Sequence, residues 1–263
     1  ISITNKVNPI STFDNEYNHF AGNKIKQVKV FGERCSGTNF LNALIDVNFP
    51  EQQMCYDKNY GPKHFLCWFV DHPFEKNINA KYKKKSFQFN ASSKCLFVVV
   101  VRNPYDWLRS FFNKPHEVHH SLLNKGFSHF LRSEWRHWNG GPGRKIDNYN
   151  PWTKKPFSNV LDLRKYKILN YLTLGRIVDN YLFVRYEDVR ENPNGFVDFI
   201  AENYSLVKEK DFIPITTYKG CNKTTYTQTK YFSFSEKDLL FINTNIDWKM
   251  EEKINYFLNK NPD

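Results

Sequence analysis

The run Val30-Phe31-Gly32-Glu33-Arg34-Cys35-Ser36-Gly37-Thr38-Asn39-Phe40-Leu41 leads from an apolar stretch through a glycine-containing polar turn into a helical apolar pattern. Such a turn aims backbone N–H groups and a helix N-terminus at one point, which suits a phosphate or a sulfate. It is not a Walker A loop, because that motif puts a lysine and a hydroxyl after its second glycine, whereas Gly37 is followed by Thr38 and Asn39. The same residues also read as an ordinary strand-to-helix turn. A second segment, Val101-Arg102-Asn103-Pro104-Tyr105-Asp106-Trp107-Leu108-Arg109-Ser110, begins where an apolar strand ends. Open α/β sheets bind ligands at the carboxyl ends of their strands. There Arg102 can grip a phosphate bidentately and Ser110 can offer a hydroxyl to the same group. The alternative is an Arg102–Asp106 pair that only caps the following helix.

Other polar clusters carry less. His116 and His120 are four residues apart and can share a helix face, but no third ligand stands at a diagnostic spacing and Pro115 disturbs the local geometry. No metal site is expected. The five cysteines, Cys35, Cys55, Cys67, Cys95 and Cys221, are scattered and form no C-x-x-C pair. This speaks against structural zinc and a disulfide framework, and for a reducing, cytoplasmic setting. Cys35 reads as a small loop residue, not a nucleophile. The 38 Lys and Arg against 27 Asp and Glu give a net charge of +11 and favour an anionic partner. The densest run, Lys81 to Lys85, reads as a solvated loop, and no RNA-binding or zinc-finger pattern points to specific nucleic-acid recognition. No apolar stretch has membrane-spanning length and no signal peptide is visible. The sequence begins at Ile1, which leaves an upstream targeting or membrane segment open.

The elements that must position these groups alternate between strand and helix. Over residues 1–263 they predict a single α/β domain with a mostly parallel sheet between helices. Residues 1–24 read as an irregular N-terminal arm. Strands are expected at 27–31, 64–70, 95–101 and 181–184, and Cys95 to Val101 is the clearest, an unbroken β-branched run suited to a sheet centre. Helices are expected at 38–47, after Pro104, and at 122–138, 161–175, 194–203, 235–243 and 248–259. The Gly- and Pro-rich stretch 139–158 reads as a loop or lid. Trp135, His137, Trp138 and Trp152 flank it, either as core or as rings that stack on an acceptor.

Together, the two anion-binding segments resemble the PAPS-dependent sulfotransferase superfamily, in particular its bacterial-type and carbohydrate-directed members. Arg34 to Asn39 is similar to that family's 5′-phosphosulfate loop. Arg102, Asn103, Pro104, Asp106 and Ser110 are similar to its 3′-phosphate motif. Arg185-Tyr186-Glu187-Asp188-Val189 is similar to its late Arg-Tyr-Glu-Asp-Leu segment, and Lys219-Gly220 to the Arg-Lys-Gly element that closes on the nucleotide. These stations occur in the family's order over roughly residues 28 to 232. The resemblance implies a P-loop NTPase-like three-layer sandwich, PAPS as donor and PAP as product. It implies donor contacts at Arg34, Cys35, Ser36, Gly37, Thr38, Asn39, Arg102, Ser110, Lys219 and Gly220. One departure stands out. Many members have Lys or Arg where Cys35 stands, and here the arginine lies one residue earlier.

Sulfuryl transfer needs a base for the acceptor's proton, cations and N–H donors for the sulfonate, and in-line alignment. Arg34 either turns into the sulfate site or serves Glu33, in which case Lys63 neutralises the sulfonate. Lys63-His64 resembles the Lys-x-His neighbourhood of relatives with altered spacing. His64 is the first candidate for general base, because imidazole titrates near neutrality. His72, beside Asp71, is the second, and Glu75 the third. Glu187 and Asp188 read as groups that position the cofactor side. The acceptor is expected to bear a hydroxyl, in a glycan (anionic ones included) or a small molecule. The rival readings are a nucleotide-dependent kinase or NTPase, and an inactive module that binds PAP or a polyanion.

Overall fold

The computed structural model describes residues 13–55, 60–64, 93–138, 148–150, 152, 153, 155–217, 224–227 and 229–262. Its centre is a five-stranded sheet of β1 (His19–Phe20), β2 (Gln27–Phe31), β3 (Gln53–Met54), β4 (Cys95–Val101) and β5 (Asn180–Arg185), in the order β1-β5-β4-β2-β3. The β2–β3, β2–β4 and β4–β5 pairs are parallel, and only β1 runs antiparallel, against β5. The chain is thus an α/β fold with a mixed, mostly parallel sheet. β4 is buried at every residue because both its faces are covered.

Period-two alternation sorts the core. Val28, Val30, Leu96, Val98, Val100, Leu182 and Val184 face one side, against α1 (Thr38–Asn48) and Phe196, Val197 and Ile200 of α6 (Pro193–Tyr204). Phe31, Phe97, Val99, Val101, Tyr181 and Phe183 face the other, against Ile168, Tyr171 and Leu174 of α4 (Val160–Leu174) and Met250 of α8 (Trp248–Lys253). A third cluster joins α2 (Pro104–Asn113), α3 (Phe127–Arg132), Trp135, the start of α4 and Ile242 of α7 (Glu236–Asn245). The short helix α5 (Tyr186–Glu191) follows β5 directly. After β2 the chain continues to β3 on one side, and after β4 to β5 on the other. The carboxyl ends of β2 and β4 therefore flank a topological switch point.

Several expected elements come out differently. Residues 13–24 are irregular apart from the two-residue edge strand His19–Phe20, but they pack on the sheet domain, with Phe13 buried edge-on against Phe196. The helix expected over 122–138 is cut short. Gly126 takes a left-handed φ of 85° at the start of α3, Ser133 returns to extended backbone, and His137 bridges to Val118. The last helix stops at Lys253, with Asn255 left-handed at φ 60°. The strand expected over 64–70 and the lid over 139–158 fall largely outside the described residues. Within the latter, Tyr149 bridges to Pro156. Among the described residues, no helix is long and apolar enough to cross a membrane.

Candidate functional site

The switch point opens into a cavity of about 610 Å³. Arg34, Cys35, Gly37, Thr38 and Asn39 border it from the turn after β2, Arg102 and Ser110 from the end of β4 and from α2, and Lys63 and His64 from a third segment. The two segments singled out for anion binding thus meet in one space.

Local chemistry explains the turn. Gly32 lies so close to β4 that an added Cβ would stand 2.5 Å from the Val100 carbonyl. Gly37, at φ 93°, caps α1 without a side-chain hydrogen bond, and Leu41 N closes the first turn onto Gly37 O at 3.0 Å. The N–H groups of Thr38, Asn39 and Phe40 therefore have no acceptor within the helix and face the cavity end of it. Ser36 is buried, does not border the cavity, and donates its amide to Glu33 O at 3.1 Å. The turn's carbonyls are held from the next strand and helix. Trp107 Nε1 donates to Arg34 O at 2.8 Å, and Arg102 donates to Cys35 O at 3.2 Å.

Arg102 does not pair with Asp106 to cap α2. Its other terminal nitrogen donates to Tyr231 Oη at 2.9 Å, and its guanidinium lies 4.9 Å from the Tyr186 ring centroid. The Asn103 side chain caps α2 instead, accepting from the Tyr105 and Asp106 amides, while Asp106 pairs with Arg109 at 2.9 Å. Ser110 sits two turns along α2, half-buried at the cavity wall.

Arg34 makes the Glu33 pair that was one of its two expected roles. Its side chain is fully buried and its guanidinium pairs with Glu33 at 2.8 Å and Glu117 at 3.1 Å. It thus serves two carboxylates while the residue also borders the cavity. Glu117 is also 3.4 Å from His137 Nε2. That hydrogen bond and the charge of Arg34 outweigh burial and bring the Glu117 carboxyl down to about 2. Lys63 borders the cavity and donates to Asn39 Oδ1. Gly32 N donates to Lys63 O at 3.1 Å, and His64 Nδ1 stands 2.6 Å from Gly32 O. A carbonyl only accepts, so Nδ1 carries the proton. Burial, together with the charges of Arg34, Lys63 and Lys167, lowers the His64 pKa well below its usual value. At neutral pH its Nε2 therefore holds a free lone pair.

The remaining candidates are spread out. Glu187 accepts from Asn103 N at 2.8 Å and from Tyr256 Oη at 2.7 Å, tying α5 to the end of β4. Asp188 pairs with Arg185 at 2.7 Å. Trp135 and His137 are buried, while Trp138 and Trp152 are exposed and Trp152 stacks on Tyr166. His116 and His120 share no helix face, because Glu117 between them is left-handed at φ 58°. His116 instead faces the cavity, its ring 6.2 Å from that of His64. Among the described residues, no three His, Cys, Asp or Glu side chains group to hold a metal ion. His72, with Asp71 and Glu75, and Lys219 and Gly220 lie outside the described residues.

Sequence reasoning did not single out Tyr226 and Tyr231, which line the cavity, or Glu117 and Lys167, which hold the turn from behind. No local pattern marks these residues. Their partners are distant in sequence, and only the fold brings them in. Among known proteins, neither a family model nor a curated protein matches the chain.

Proposed function

We propose that this chain is a sulfotransferase that moves a sulfuryl group from PAPS to a hydroxyl acceptor, within a P-loop-like sulfotransferase fold. The observation that carries the reading is the single cavity bordered by the Arg34–Asn39 turn, by Arg102 and Ser110, and by Lys63 and His64. A donor with phosphates at two positions needs two anion-binding segments facing one space. Lys63 and the α1 amides would neutralise and hold the 5′-phosphosulfate, and Arg102 and Ser110 would grip the 3′-phosphate. The buried ring of Tyr186 would keep Arg102 oriented. Arg34 keeps the turn in shape through Glu33 and Glu117 and is not assigned to the sulfonate.

His64 would act as base. Its Nε2 takes the acceptor's hydroxyl proton while the oxygen forms a bond to sulfur. The bond between sulfur and the 5′-phosphate oxygen breaks, and PAP leaves with that electron pair. The Gly32 carbonyl fixes the tautomer this requires. The depressed pKa keeps the imidazole neutral at pH 7, at the expense of some basicity. Binding of PAP and transfer from radiolabelled PAPS to a panel of glycan and small-molecule hydroxyls test the reading. His64→Ala should lower turnover by about 10²- to 10⁴-fold while PAP affinity stays nearly unchanged. A His64→Ala chain that turns over like the wild type would remove His64 from the chemistry.

A further inference from the structure

Lys167 lies on α4 with its side chain wholly buried. On that helix Leu163, Ile168, Tyr171 and Leu174 are core residues, while Arg164 and Asn170 are buried polar neighbours. If packing were all the site required, a methionine would fill it without the desolvation cost of an ammonium. The ammonium has definite partners. It stands 3.2 Å from Glu33 Oε2 and donates to the backbone carbonyl of His64.

We propose that Lys167 is a positioning residue for His64, anchoring the backbone of the imidazole to the anion-binding turn. The inference rests on the reading of His64 as the base. His64 is tied at two points, its ring through Nδ1 to Gly32 O and its carbonyl to Lys167. Both ties lead to the same turn, since Gly32 begins it and Glu33 pairs with Lys167. Glu33 passes the constraint on, bonding Arg34 through both its amide, at 2.6 Å, and its guanidinium. Two carboxylates, Glu33 and the half-buried Glu117, thus meet two buried cations, Arg34 and Lys167. The ring they support keeps Nε2 at a fixed place relative to Arg34–Asn39, which in-line transfer requires.

Lys167 also contributes charge. The charged or titratable groups around His64 are Arg34 and Glu33 from the turn, Lys63 beside it, His116 across the cavity and Lys167 from α4. Removing the Lys167 ammonium takes away one of the cations that disfavour imidazolium.

The test is NMR titration of the full chain with isotope-labelled histidine, comparing wild type, Lys167→Met and Lys167→Met/Glu33→Gln. The double variant removes both members of the pair and serves if the single one fails to fold. In Lys167→Met, the His64 midpoint should rise by about one pH unit. In both variants the Nδ1–H signal tied to Gly32 should broaden or vanish. A midpoint and an Nδ1–H signal unchanged from wild type would overturn the proposal. PAP titration of the same samples separates this failure from that of the functional reading. Wild-type protein that ignores PAP removes the sulfotransferase assignment, while the histidine spectra still decide whether Lys167 holds His64.

Discussion

Replacing Gly37 by alanine tests the geometry of the turn most sharply. At φ 93° the position favours glycine, and an L-residue there costs about 1–2 kcal/mol from backbone crowding alone. Space adds a second term. An added Cβ would stand 2.2 Å from Cδ2 and 2.7 Å from Cε2 of Tyr186. The Tyr186 ring is buried and carries the Arg102 guanidinium on its face, so moving it displaces the arginine as well. Overpacking of this kind costs about 1–3 kcal/mol, for a total near 2–5 kcal/mol. Gly22 is the control. Its φ is 81°, and an added Cβ there meets nothing within 4 Å. Gly22→Ala should lose only the backbone term, about 1–2 kcal/mol. Urea unfolding of both variants isolates the clash as their difference. Tyr186→Leu in the Gly37→Ala background should recover part of it as a coupling energy. A Gly37→Ala chain no less stable than Gly22→Ala would refute the packing of Tyr186 on the turn.

Other expectations follow from the same contacts. Arg164 and Glu251 form a buried pair at 2.6 Å, and Arg164 also donates to the Arg102 carbonyl at 2.9 Å. Arg164→Met strands the Glu251 carboxylate and should cost about 3–5 kcal/mol in urea unfolding, mostly recovered by adding Glu251→Leu; no recovery would contradict the pairing. Glu117 has its pKa lowered from 4.5 to about 2 in the fold, so it contributes stability above pH 4.5 that is lost as pH falls toward 2. Wild type should be more stable than Glu117→Gln at pH 7, with the difference shrinking across that window; a difference independent of pH would contradict the ion pairing. Arg102→Ala should weaken PAP binding by about 2–5 kcal/mol in calorimetry, and an unchanged affinity would remove Arg102 from the 3′-phosphate.

What was legible in the sequence was what local pattern controls. Cys95 to Val101 could be assigned to the sheet centre because a β-branched run buried on both faces has no alternation to hide. Gly32 and Gly37 marked the turn because close approach and left-handed backbone leave a signature in residue type. Arg102 could be placed at the carboxyl end of β4, but not its partners. Tyr231 and Tyr186 come from far along the chain, and it is Asn103, not Arg102, that caps the next helix. The same limit hid Lys167, whose neighbours in sequence say nothing about Glu33 or the His64 carbonyl. The helix expected over 122–138 failed for a local reason. Gly126, with φ 85°, starts α3 afresh, and Ser133 returns the chain to extended backbone. His116 and His120 parted because a left-handed Glu117 between them is invisible to a four-residue spacing.

Under the proposed function, the turn after β2 and the end of β4 together bind a donor with phosphates at two positions. Calorimetric titration with PAP, beside ADP and ATP with and without magnesium, tests it most directly. Tight PAP binding that depends on the 3′-phosphate and needs no magnesium, with ADP much weaker, is the expected result. Magnesium-dependent ATP binding with no response to PAP would contradict it and make a kinase or NTPase the better reading.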